Sequence, residues 1–154
     1  MELRLHRIEP ALAVVLVASI VMLNAPRLCA GSAIVAFSAT SFPERLAARE
    51  IRRYTYLRTG VLLDILDEGE NSPDPAILVG RSNSRAMQTW LKAAGVKNDP
   101  RGLGPQEFLL QSASLDGRAA LFIVGGDGIG VLYGAYRYAE LLGVRFFLHG
   151  DVVP

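Results

Sequence analysis

Cysteine is almost absent: Cys29 is the only one in 154 residues, so no disulfide can form within the chain. Histidine is nearly as scarce, with His6 and His149 alone, which leaves little material for a metal site. No sign of charge dominates either. Arg4, Arg7 and Arg27 stand against Glu2 and Glu9 in the first thirty residues, and the rest of the chain carries 13 basic and 13 acidic side chains. A neutral body gives no electrostatic reason to expect nucleic acid or an anionic membrane as partner. Internal repeats and low-complexity stretches are missing as well. What the chain does have is apolar material, 51% hydrophobic against 20% charged. That mixture excludes a disordered tail, a collagen-like repeat and a disulfide-dense miniprotein. The length suits one domain with a sizeable core.

The first thirty residues have the pattern of an address. Arg4, His6 and Arg7 precede an apolar run from Ala11 to Leu23, and the small residues Cys29, Ala30, Gly31, Ser32 and Ala33 follow. A basic start, a short apolar stretch and a small-residue exit define a secretory signal peptide over about residues 1–31, with an uncleaved anchor or a buried strand as the alternatives. The run is too short for a stable membrane span, which needs about 20 apolar residues. Cleavage fits after Ala30, Gly31 or Ser32. Arg27 and Leu28 before Cys29 are not the small residues of a lipoprotein signal. Removal of this peptide leaves no cysteine, as expected for a secreted or periplasmic protein held together by its core.

From Ser32 onward strands and helices alternate. Ser32–Ala39 reads as a buried strand. Ser41, Pro43 and Glu44 read as a helix start with a capping box, in which Ser41 caps the helix and Glu44 reaches back to it. Ala47, Ala48, Ile51, Tyr54 and Leu57 then share one helical face, Arg45, Arg49, Arg52 and Arg53 fall on or near the other, and Gly60 stops the helix. In a neutral domain the arginine stripe reads as a solvated face rather than a polyanion site. Strands are predicted over Val61–Leu66 and Ala76–Val79, with the acidic 67–75 segment as a turn that lacks the ligand spacing of a calcium loop. Ser84 starts a second helix through about Ala94, with Met87, Trp90, Leu91 and Ala94 on one face. Two strands near Glu107–Ala113 and Ala119–Val124 flank Asp116-Gly117, a hairpin signal. A last helix over Ile129–Leu142 and a closing strand over Val144–Leu148 complete the chain. The fold class is α/β (α+β): a single β-sheet with two to three helices packed mainly on one face.

The glycine cluster Gly125, Gly126, Gly128 and Gly130 follows a strand and opens a helix, which raises a dinucleotide loop. The spacing does not match: counted from Gly126 the third glycine position is Val131, and counted from Gly128 it is Tyr133. The structural reading has Asp127 capping the helix, while Gly130 and Gly134 form a smooth stripe that lies against a neighbour. Tyr133, Tyr136, Arg137 and Glu140 are left to face solvent or a partner.

The stretch GIGVLYGAYRYAELLGVRFF over residues 128–147, with Gly150-Asp151-Val152-Val153-Pro154 after it, resembles the small accessory domain that precedes the barrel in α-glucuronidases and β-N-acetylhexosaminidases. The helix around Ala47–Gly60 and the strand ending Val79-Gly80-Arg81 are similar to the same domain, so that the likeness covers residues 32–154. The resemblance implies a sheet with two main helices on one face and a catalytic (β/α)8 barrel that follows. The Trp90 helix is additional to that pattern.

It also implies that the catalytic carboxylates belong to the barrel, so this chain is expected to contribute none. Asp127 and Asp151 are the pair a hydrolase reading would test first, and a cap and a turn residue are their commoner uses. No Ser-His-Asp set, Walker loop or His-Glu-x-x-His motif is present. The expectation is a secreted, non-catalytic domain of a polysaccharide-degrading enzyme, here without its barrel, needing no cofactor and no metal. Its partner is the C-terminal barrel, with polysaccharide as a second. Arg145, His149 and Asp151 are the expected barrel contacts. Two alternatives differ in class. A stand-alone sugar-binding module would use Tyr54, Tyr56, Tyr133, Tyr136 and Tyr138 as a stacking platform. A nucleotide-binding fragment would use the glycine loop.

Overall fold

A computed structural model of the chain describes residues 33–37, 41–67, 75–97, 99–115 and 117–154. The proposed signal peptide, Cys29 and most of the acidic turn lie outside the described residues. Strands β1 (Ala33–Phe37), β2 (Asp64–Asp67), β3 (Pro75–Arg81), β4 (Phe108–Leu115) and β5 (Arg118–Gly125) form one mixed sheet in the order β2-β1-β3-β5-β4. The first four of that order run parallel, and β4 closes one edge as the antiparallel partner of β5. Leu115 pairs with Arg118 across the predicted Asp116-Gly117 turn, and Gly117 takes the left-handed conformation, φ 80°, that such a tight reversal needs.

The central strands are apolar over residues 33–37, 76–79 and 119–124 because both faces of the sheet are covered. Ile34, Ala36, Ile77, Val79 and Ile123 point to one face, where they meet α1 (Phe42–Thr59) and α3 (Gly128–Leu141) through Ala47, Ala48, Ile51, Val131, Ala135 and Tyr138. Val35, Leu78, Phe122 and Val124 alternate to the other face and pack on Met87 and Leu91 of α2 (Arg85–Ala93). Period-two alternation inside an all-apolar run therefore feeds two cores. Two helices share one face as expected, and the third covers the face behind them.

Local chemistry sets the helix ends. Ser84 caps α2 by accepting the Met87 N–H, and Asp127 caps α3 by accepting the Gly130 N–H at 2.7 Å. The capping box predicted for α1 does not form. Ser41 stands at the cap position, but its hydroxyl donates to the Glu44 carboxylate instead of accepting a backbone N–H. Glu44 is turned into the protein, where Arg81 at the end of β3 donates Nε to it at 2.9 Å. A buried carboxylate needs that partner more than the helix start needs a second cap.

The strand expected over 61–66 begins later, at Asp64, because Leu63 turns into the core before pairing starts. The closing strand also has a different place. It forms β6 (Arg145–Phe147), which pairs with β7 (Gly150–Val152) in a separate two-stranded hairpin rather than joining the main sheet. Gly130 and Gly134 form the expected stripe. A Cβ at Gly134 would stand 2.7 Å from the Ile123 side chain, and one at Gly130 would stand 2.3 Å from the Glu107 carbonyl oxygen. Both glycines let α3 lie directly on β5 and the residues that lead into β4.

Candidate functional site

The hairpin β6–β7 gathers Arg145, His149 and Asp151 into one element. Its two faces differ, as a strand pair requires. Phe146 and Asp151 are opposite each other in register and turn toward the helices. The Phe146 ring meets Tyr54 and Tyr136 edge-on, with centroids 5.7 and 5.3 Å away, a favoured aromatic arrangement. Asp151 accepts the Tyr54 hydroxyl at 2.7 Å and lies 3.3 Å from an Arg53 terminal nitrogen. Arg53 in turn packs over the Tyr54 ring and reaches Glu50. The Tyr54 hydrogen bond holds the Asp151 carboxyl below the usual carboxylate range, with Arg53 adding to the effect. Burial, and then the same hydrogen bond, push the Tyr54 phenol well above its ordinary value.

One turn further along α1, Arg58 donates to the carbonyls of Leu142 at 2.7 Å and Pro154 at 2.9 Å. The end of α3 and the segment after β7 are thus fastened to the same helix. Arg145 donates to the carbonyls of Val144 and Glu140, and so satisfies backbone acceptors where α3 ends. His149 sits exposed in the turn, next to Gly150 with its φ of 131°.

The outer side of the hairpin is apolar. Phe147 is 63% exposed, Leu148 103% and Val152 55%. Of the three expected contact residues, His149 shares this exposed turn, Arg145 lies beside it on an exposed strand, and Asp151 faces inward. The sequence does not mark Arg53, Tyr54 and Arg58 as anchors. It places Arg53 on a solvated stripe, and Tyr54 on the apolar face or in a stacking platform. Neither assignment signals a partner nearly a hundred residues away.

The glycine loop is filled by the chain itself. Gly126 donates its N–H to Glu107, and a Cβ at Gly126 would stand 2.0 Å from the Gly104 carbonyl oxygen. Asp127 also accepts the Gln106 N–H, which supports that residue in a left-handed conformation, φ 66°. The space in which a pyrophosphate would lie is taken by residues 103–107. The tyrosines do not form a platform. Tyr54 and Tyr138 are buried, the latter bonded to Thr55 at 2.9 Å, and Tyr136 packs on Phe146, so only Tyr56 and Tyr133 stand largely exposed. Among the described residues no cluster of His, Cys, Asp and Glu could hold a metal ion, and no helix is long and apolar enough to cross a membrane.

These features define a class: a layered α/β domain in which Asp127 and Asp151 serve structural contacts and whose last element is an anchored apolar hairpin. The class has a family. Residues 24–138 match Glycosyl hydrolase family 67 N-terminus, and the chain belongs to that family. It is therefore the N-terminal domain type of a glycoside hydrolase, and such a domain implies a C-terminal catalytic partner. The match takes in α1, α2 and most of α3 and stops before the hairpin. A search of curated proteins gives no match.

Proposed function

We propose that this chain is the non-catalytic N-terminal domain of a secreted O-glycosyl hydrolase of α-glucuronidase type, which works in polysaccharide breakdown by packing against a C-terminal barrel. Residues 1–31 serve as the signal peptide and 32–154 as the accessory domain. The observation that carries this reading is the outer side of the hairpin. Phe147, Leu148 and Val152 stand in water on an element that Tyr54 and Arg53 of α1 hold through Asp151. Contiguous exposed apolar groups of this kind mark an interaction surface. Arg145 and His149 border that surface, and Asp151 fixes it from behind. Glycoside hydrolysis requires two carboxyl groups about 5–10 Å apart across the sugar. Asp127 is committed to a helix cap and Asp151 to Tyr54 and Arg53, so the chemistry falls to the partner domain.

The test mixes the chain with a separately produced catalytic domain of a family α-glucuronidase and follows sedimentation. A one-to-one complex is expected, weakened at least tenfold by Leu148→Asp, with no turnover of α-glucuronosyl substrates by the chain alone. Turnover by the chain alone would refute the non-catalytic role, and failure to form a complex would refute the docking surface. N-terminal sequencing of the exported product is expected to begin after Ala30, Gly31 or Ser32. An intact Met1 in the exported protein defeats the signal-peptide reading.

A further inference from the structure

The face of the sheet that carries α2 holds a cleft unrelated to the hairpin. It is an open depression of about 320 Å3 between α2 and the 3-10 turn at Pro100–Gly102. Its floor is apolar: Leu91 and Pro100 are buried, and Val96 is half-buried. Its rim is charged, with Lys92, Lys97, Asp99 and Arg101. Asp99 is fully occupied by its neighbour. The Arg101 Nε donates to both carboxylate oxygens at 2.8 and 2.9 Å, a terminal guanidinium nitrogen donates at 2.5 Å, and the Arg101 backbone N–H adds a fourth bond at 3.0 Å. These bonds bring the Asp99 carboxyl down to about 2, so it is ionised at any ordinary pH and already neutralised. Lys92 and Lys97 have no ion-pair partner among the described residues. The cleft therefore keeps two uncompensated ammonium groups above an apolar floor, in a chain whose overall charge is only +1. A concave wall of low polarity strengthens the field of such charges for an incoming anion.

We propose that this cleft binds a small organic oxyanion, a carboxylate carried on a compact apolar ring. The carboxylate lies between Lys92 and Lys97, and the ring covers Leu91, Val96 and Pro100. α2 covers the sheet face opposite α1, α3 and the hairpin anchored to them. The inference therefore stands whether or not the hairpin docks a catalytic domain.

Amide shifts of the isotope-labelled chain test it with three probes: benzoate, inorganic phosphate and benzyl alcohol. Benzoate is expected to move the amides of Leu91, Lys92, Val96, Lys97 and Arg101 while those of the hairpin stay in place. Its affinity is expected to fall at least tenfold in Lys92→Ala/Lys97→Ala, whose melting temperature stays unchanged because both side chains are exposed. Affinity also falls as salt rises from about 50 mM to about 500 mM, since screening shortens the reach of the lysines. Equal shifts with benzyl alcohol would show that charge is not read, and equal shifts with phosphate that the ring is not; either overturns the assignment. So does silence with benzoate, or unchanged binding in the double variant.

Discussion

Asp151 shows how much one side chain can decide. It stands in a three-residue strand that has a single pairing partner, and a two-stranded hairpin is marginal in water on its own. The Tyr54 hydroxyl and Arg53 join it to α1, and Phe146 supplies the apolar part of the same attachment. The folded Asp151 carboxyl titrates below its unfolded value. Its contribution is therefore fully present above the ordinary carboxylate range and is lost as pH falls through the depressed folded value. The protection of the hairpin amides, taken from hydrogen exchange corrected for the intrinsic pH dependence and compared with that of β5, is expected to fall on acidification before that of the main sheet. In Asp151→Asn the hairpin is expected to exchange faster at neutral pH, and its separate acid dependence disappears. A hairpin that stays as protected as β5 at low pH would count against the attachment. Tyr54→Phe removes the same bond from the other side and is expected to cost about 1 kcal/mol in a denaturant titration.

At the scale of elements, much could be read from the sequence because the patterns are strong. Helical spacing of Ala47, Ala48, Ile51 and Tyr54 marks α1 and its buried face, although Leu57, on the same spacing, is exposed in the last turn, and Asp116-Gly117 marks the β4–β5 hairpin. Gly130 and Gly134 pointed to a close helix approach, which is what they provide. Three features were not legible. A short strand such as residues 145–147 announces extended backbone but not its partner, which here is β7 rather than an edge of the main sheet. Ser41 and Glu44 have the spacing of a capping box, but Arg81 lies 37 residues beyond Glu44, and local spacing cannot reveal a long-range claim on the carboxylate. The side on which α2 packs depends on the crossover, which composition does not encode. The glycine stripe yields a graded prediction. Alanine at either position gains about 1 kcal/mol of helix propensity, but the neighbours differ. Gly134→Ala meets a side-chain methyl and is expected to lose 1–2 kcal/mol net, about the lower range for an overpacked core. Gly130→Ala meets a backbone carbonyl that cannot rotate away, so it is expected to lose about 3 kcal/mol or more. Equal midpoints for the two variants in urea would mean that α3 is free to shift off β4 and β5.

For the molecule as a whole, the hairpin and the core make opposite demands. Phe147 and Leu148 lie outside all three hydrophobic clusters, including the one that Tyr54, Ala139 and Val144 form beside the hairpin, so the fold draws little stability from them. Exposed substitutions away from caps and networks usually change stability by less than about 0.5 kcal/mol. Their apolar surface nevertheless remains in water, at roughly 25 cal/mol for each Å2 that a partner could cover. Apolar side chains exposed without a folding role are what the proposed docking surface requires. Phe147→Ser/Leu148→Asp is therefore expected to leave the melting temperature of the chain nearly unchanged, to reduce binding of a hydrophobic dye, and to narrow its sedimentation profile at high concentration. If the double variant instead unfolds several degrees earlier, these side chains belong to the core of the domain, and the outer face of the hairpin ceases to be a surface for a partner.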